Sequence, residues 1–263
     1  MNSVTIGSGV VSIGENAFAW CEALTSIVIP DNVTSIGSEA FMKCNALTSI
    51  TIGGSLNEID DMAFKDCKNL TSIMIPDNVT SLGREAFSNC DALASVKIGD
   101  GMTSIGNAAF YDCEAFVTMT IGDGITTIPD SLCYSCDKLN EVRIGKGIQR
   151  IGILAFYIKD GYSIEKFYCH TPLPPKFSNN EKYIGQTSRP NSKPGYLMRI
   201  YHDYYPFYYR ATNYEVKSDY STGKILNTKD FKTVIQTLYV PVRCSTVYKE
   251  SDWKEYFSNI VEI

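Results

Sequence analysis

LTSIVIPDNVTSIGSEAFMKCNA, residues Leu24 to Ala46, decides the fold, because the chain repeats it through its first two thirds. Six cysteines stand on one column, Cys21, Cys44, Cys67, Cys90, Cys113 and Cys136, each 23 residues after the last. A phenylalanine column runs through Phe18, Phe41, Phe64, Phe87 and Phe110, lapses at Cys133 and resumes at Phe156. A third column holds Ile13, Ile36, Ile59, Leu82, Ile105, Ile128 and Ile151. A fixed period of this length is the signature of a solenoid.

Within one unit, Leu24, Ile27 and Ile29 form the L-x-x-L-x-L strand pattern of leucine-rich repeats. The alternation of Ile27 and Ile29 is period two, so Val28 faces away from the core. Pro30-Asp31-Asn32 ends the strand with turn chemistry, and Gly37 breaks the next apolar run. Ser38 to Cys44 reads as a short helical turn with Ser38 as its N-cap and Ala40, Phe41 and Cys44 pointing inward. One such coil cannot bury its own apolar sides; stacking covers them, each coil touching only its neighbours. Seven coils spaced as strands make a ladder on the order of 30 Å long.

The unit I-P-D-N-V-T-S-I-G-x-x-A-F-x-x-C-x-x-L-x-x-I-x-I resembles the treponemal, or BspA-like, leucine-rich repeats of bacterial surface proteins. The likeness spans about Val4 to Pro175 and rests on the joint Ala-Phe, Cys and Ile-Gly columns. Leu238 to Pro241, Trp253 and Asn259 to Ile263 are similar to the C-terminal close of Bacteroides-type members. The resemblance implies an α/β leucine-rich repeat solenoid, a right-handed β/α superhelix of 23-residue coils. It also implies a secreted or cell-surface location and a non-catalytic role in recognising host or microbial surface proteins. Two units are expected: a solenoid over residues 1–175, then a Tyr-rich insertion (176–237) followed by a cap (238–263). The insertion departs from the family pattern, which has a short connection there.

Composition sets the outer bounds. The net charge of −5 leaves no basic footprint for nucleic acid, and no apolar run approaches membrane-spanning length. Met1 runs straight into strand-like Val4-Thr5-Ile6 with no signal peptide and no polar cap, the expectation for a piece of a longer protein. Nine cysteines are an odd number and follow the repeat. Their side chains point the same way, so the reading is a ladder of reduced, buried thiols. Coils one to five are regular. Coil six carries Pro129 in place of the Ile-Gly glycine and Leu132-Cys133 in place of Ala-Phe. Coil seven gains two residues near Ile158 to Tyr162, and the prolines of 172–175 are expected to stop the ladder. Nine of the 17 tyrosines fall in residues 176–237, which argues for folded rather than unstructured chain. Leu238 to Val240 reads as a strand, Ser245 to Phe257 as a short helix and Ile260 to Ile263 as a final strand.

No catalytic constellation emerges. Cys133 and Cys136 match CxxC, yet both occupy inward columns and are expected to be buried, a disulfide between them being the alternative reading. Cys169-His170 lacks metal-ligand spacing. His170 and His202 are the only histidines, and no nucleophile sits in a recognisable motif. Asp60, Asp61, Asp100 and Asp123 lack calcium-loop spacing and read as solvated turn residues. Asn32 and Asn78 fall in sequons but sit at turn positions. No cofactor and no metal is expected, and the chain does not read as an enzyme.

Binding is the better-supported activity, because solenoids bind through an exposed face. The outward column is Val28, Thr51, Met74, Lys97, Thr120, Arg143 and Tyr168, beside Ser26, Ser49, Ser72, Ser95, Thr118, Glu141 and Lys166. The early part is small and bland. Charge and an aromatic ring gather toward the C-terminal end, at Asn140, Glu141, Arg143, Glu165, Lys166 and Tyr168, with Lys97 as an outlier. Arginine and aromatics dominate interface energetics, so these residues are the candidate protein-binding site, joined by Tyr204, Tyr205 and Tyr208 of the insertion. Two further readings stand beside it: a carbohydrate-binding module using those three insertion tyrosines, and a purely structural spacer.

Overall fold

A computed structural model describes residues 3–158, 164–177, 218–219, 224–225, 235–251, 253–254 and 257–263. Each coil contributes one two-residue and one four-residue strand. In chain order these are β1 (Ser12–Ile13), β2 (Ser26–Ile29), β3 (Ser35–Ile36), β4 (Ser49–Ile52), β5 (Glu58–Ile59) and β6 (Ser72–Ile75). They continue with β7 (Ser81–Leu82), β8 (Ser95–Ile98), β9 (Ser104–Ile105), β10 (Thr118–Ile121), β11 (Thr127–Ile128), β12 (Glu141–Ile144) and β13 (Arg150–Ile151). The C-terminal part adds β14 (Ile164–Cys169), β15 (Lys176–Phe177), a small antiparallel pair β16 (Ser218–Asp219) and β17 (Lys224–Ile225), then β18 (Ile235–Val240), α1 (Ser245–Glu250) and β19 (Phe257–Glu262).

The solenoid strands pair in parallel, coil to coil, giving a β-solenoid of about eight turns. The long strands form a ladder β6-β8-β10-β12-β14-β18-β19, with β2-β4 paired separately. The short strands form β1-β3-β5-β7-β9 and, after a break, β11-β13-β15. Register holds the columns in line: Ser26 faces Ser49, Val28 faces Thr51 and Ile59 faces Leu82. Between β12 and β14 the pairing is Glu141 with Lys166 and Arg143 with Tyr168, which places the two surplus residues before Ile164.

The helical turn expected over Ser38 to Cys44 does not form. Alternate N–H groups bond locally, Ala40 to Gly37, Met42 to Glu39 and Cys44 to Phe41. The intervening ones reach the next coil, Glu39 to Asp61, Phe41 to Ala63 and Lys43 to Lys65. An α-helix would keep all of them inside one coil; stacking claims every second one. Glu39 and Lys43 consequently adopt left-handed φ angles of 56° and 60°, as do their counterparts along the ladder. Ser38 Oγ donates to the Asp61 carbonyl and caps nothing. Among the described residues the one α-helix is α1, so they form a parallel β-solenoid with little helix.

Two columns explain why the coils stack. The Phe18, Phe41, Phe64, Phe87 and Phe110 rings lie face to face with centroids 5.1, 5.1, 5.1 and 5.6 Å apart. Each ladder thiol from Cys44 to Cys136 donates to the carbonyl of the Phe-column residue one coil earlier, at 3.0 to 3.3 Å. Cysteine is small enough for the interior and still satisfies a carbonyl there. The turn aspartates are not simply solvated: Asp61, Asp77, Asp100 and Asp123 each accept a backbone N–H of the following coil through Oδ1. Asn32 and Asn78 reach back to the carbonyls of Val10 and Leu56.

Both ends differ from expectation. Val4 to Ile6 is not a strand; Val4 and Ile6 pack half-buried against the core. At the other end the prolines do not stop the ladder, because β15 pairs with β13 beyond them and β18 and β19 extend the long ladder in parallel. The helix over 245–257 is shorter, and β19 begins at Phe257 instead of Ile260. The core closes on an aromatic group: Trp253 stacks on Phe257 at 5.3 Å and meets Phe167 edge-on at 5.9 Å. Tyr248, buried from α1, donates through its hydroxyl to the Thr171 carbonyl at 2.9 Å, and Trp253 Nε1 donates to the Pro175 carbonyl at 2.8 Å.

Candidate functional site

Outward residues of the long strands are set by pleat alternation. Val28 and Met74 are 60% and 68% exposed while their strand neighbours Ile27, Ile29, Ile73 and Ile75 are buried. The column then passes through exposed Lys97 and half-buried Thr120 to Arg143, Tyr168 and, beyond the repeat, Tyr239. Strand pairing sets neighbouring Cα atoms about 5 Å apart, the spacing at which flat groups stack.

That spacing is used. The Arg143 guanidinium lies over the Tyr168 ring, 3.7 Å from its centroid. Tyr168 stacks on Tyr239 with centroids 4.4 Å apart and planes 12° from parallel. Arg143 Nε also donates to Glu141 Oε1 at 2.8 Å. Stacking and this ion pair hold the guanidinium while the Arg143 side chain stays 40% exposed. A held cation on a two-ring platform suits a flat or anionic group of a partner.

The structure brings only some of the candidate residues from the sequence together. Arg143 touches both Glu141 and Tyr168. Lys166 lies in register between Glu141 and Thr237, exposed, with Glu165 beside it. Asn140 uses its backbone carbonyl to receive the Glu165 and Lys166 N–H groups, so it helps set β14 in place. Lys97 is separate: Thr120 intervenes, and it lies two strands, about 10 Å, from Arg143. Tyr204, Tyr205 and Tyr208 lie outside the described residues.

Tyr239 was not singled out from the sequence. Its signal was present in Leu238-Tyr239-Val240, which repeats the buried–Tyr–buried pattern of Phe167-Tyr168-Cys169 and pairs with it. A second aromatic column also went unread. Tyr111, Tyr134 and Tyr157, each one residue past the Phe column, stack with centroids 5.2 and 4.5 Å apart.

Elsewhere the chemistry is quiet. Cys133 and Cys136 are fully buried, the first against Met119 Sδ at 3.6 Å and the second donating to Phe110. Burial pushes the Cys44 thiol up to about 12 and raises those of Cys67, Cys90, Cys113 and Cys136 well above the usual thiol range. A thiol held protonated is neither a nucleophile nor a metal ligand. Among the described residues no group of His, Cys, Asp and Glu side chains is placed to hold a metal ion. No helix among them is long and apolar enough to cross a membrane.

A BspA type leucine rich repeat region, in six copies, matches residues 1–116 and 57–172. The leucine-rich repeat protein of T. pallidum is 30% identical over 53% of this chain and 69% of its own, with a TM-score of 0.49. A leucine-rich repeat protein from Bacteroides ovatus aligns with 97% of this chain at 20% identity and a TM-score of 0.51. This chain spans 64% of that protein's length. A leucine rich cell surface protein of Faecalibacterium prausnitzii is 20% identical over 64% of this chain and 69% of its own, with a TM-score of 0.34. No curated protein matches. The repeat columns, the parallel coil-to-coil register and the family match over residues 1–172 together place the chain in the BspA-type leucine-rich repeat family.

Proposed function

We propose that this chain is a non-catalytic recognition module, secreted or displayed at the cell surface, which binds a protein partner at the C-terminal end of its strand face. Leucine-rich repeats are in general protein-interaction modules. The observation that carries the reading is the stack of Arg143 on Tyr168 on Tyr239. It combines the residue types that dominate interface energies with a geometry already fixed before binding, so little side-chain entropy remains to be lost. Glu141, Glu165 and Lys166 form a charged rim around it, and the Ser/Thr columns of the early coils offer no comparable anchor.

The test is a screen of the intact chain against host matrix proteins and bacterial surface proteins, followed by alanine substitution. Arg143→Ala and Tyr168→Ala each weaken a protein partner found in this way about tenfold or more, with the thermal transition unchanged. A partner bound equally well by both variants rules the site out.

A further inference from the structure

The short-strand ladder is interrupted once. β9 and β11 are not hydrogen-bonded neighbours, although β7-β9 and β11-β13 are. At the intact junctions a glycine N–H closes the pairing: Gly83 donates to Ile59, Gly106 to Leu82 and Gly152 to Ile128. At the interrupted junction that column holds Pro129, which has no N–H to give to Ile105. Shape alone does not explain the break. Asp60 occupies the same column, carries a side chain and still donates to the Ile36 carbonyl at 2.9 Å. The missing donor is what separates Pro129 from Asp60.

The loss spreads along the strand. Thr80 receives the N–H groups of Thr103 and Ser104, and Thr126 receives those of Gln149 and Arg150. Among the described residues the carbonyls of Thr103 and Ile105 have no such donors. Thr34, Thr80 and Thr103 each donate a side-chain hydroxyl to the preceding coil; Thr126, next in that column, does not. Ile105 is 8% exposed where Leu82 and Ile128 on either side are at 1% and 0%. Coil seven remains tight on coil six, since a Cβ on Gly152 would lie 2.5 Å from Asp130 N. All the slack is on the coil-five side. There it forms an open groove of about 460 Å³ lined by Thr103, Ser104, Asn107, Thr126, Thr127 and Asp130 around Pro129.

We propose that this groove is a second binding site, taking a small neutral polyhydroxylated ligand, a mono- or disaccharide. Backbone polar groups released from a ladder seek partners, and here they sit among hydroxyls and an amide that both donate and accept. A sugar hydroxyl does both as well. The lining has one carboxylate and no cation, which disfavours anions, and its polar character disfavours lipids. The gap is too short for an extended peptide strand. On one side Ala108 N–H meets the Asp130 carbonyl at 3.0 Å, and on the other β8 and β10 stay fully paired. Asp130 is held in place by the Ile153 N–H on its Oδ1 at 2.7 Å.

The experiment titrates the intact chain with glucose, galactose, N-acetylglucosamine, lactose and, separately, calcium, by calorimetry and saturation-transfer NMR. Pro129→Gly restores the donor that the column has elsewhere. It should close the groove, protect the residue-129 amide from exchange and weaken saccharide binding about tenfold or more. Asn107→Ala, on an exposed side chain, carries the same expectation if the glycine variant folds poorly. Arg143→Ala should leave saccharide binding unchanged, which separates this site from the protein-binding surface. No saccharide bound by the intact chain, binding that survives Pro129→Gly or Asn107→Ala, or calcium taken up in place of sugar overturns the proposal.

Discussion

At the scale of single residues, the columns act through what each side chain does for the coil before it. Phe64 lies between Phe41 and Phe87 at 5.1 Å on both sides and is fully buried. Phe64→Ala therefore removes two ring contacts and leaves a cavity, and urea unfolding should show a loss of about 3–5 kcal/mol. The cysteine column makes stability fall at high pH. Burial holds the thiols of Cys44, Cys67, Cys90, Cys113 and Cys136 above the ordinary thiol value of 9.0, Cys44 at about 12, so the folded state holds protons that the unfolded chain releases. The contribution is complete below about pH 9. It declines as pH rises toward 12 by about 1.4 kcal/mol per pH unit for each such thiol. Melting temperatures measured between pH 7 and pH 11 should fall above pH 9, and a Cys90→Ala/Cys113→Ala variant should show a shallower decline. The columns were plain in the sequence because repetition prints them. That each thiol donates to a phenylalanine carbonyl was not, since it depends on which way the coil's carbonyls tilt.

At the scale of elements, competition between local and inter-coil hydrogen bonds decides the outcome. Ser38-Glu39-Ala40-Phe41 has helical composition, yet alternate N–H groups bond upward to the next coil and force left-handed residues. A sequence window cannot see that competitor, which explains the misread helix. Ala108 is a left-handed residue at φ 59°, whereas its neighbour Ala109 is fully buried and is not left-handed. Ala108→Gly should raise the urea midpoint, by up to about 1 kcal/mol of stability, and Ala109→Gly should lower it by a comparable amount. At the closing end, Tyr248→Phe leaves the buried Thr171 carbonyl without its hydroxyl donor, and should cost about 1–3 kcal/mol in the same assay. Leu238 to Val240 was readable as a strand from its own residues. Lys176–Phe177 was not, because four prolines in residues 172–175 and 129 obscure where pairing resumes and where it fails.

At the scale of the whole molecule, the long ladder changes character from one end to the other. Its early outward positions are Ser, Thr, Val and Met; its late ones are Arg143, Tyr168 and Tyr239, stacked on one another. The sequence showed Arg143 and Tyr168 in one column, but not that Tyr239 would join them across 70 intervening residues. No periodicity connects residues that far apart once the repeat has ended. The proposed function needs this stack to be a prepared recognition surface and not an accident of strand spacing. The most direct measurement is the affinity of the intact chain for a protein partner taken from the surface-protein screen, compared with Arg143→Ala, Tyr168→Ala and Tyr239→Ala, with melting temperature recorded in parallel. Each variant should lose affinity about tenfold or more with little change in melting. Undiminished affinity in all three would show that the stack takes no part in binding.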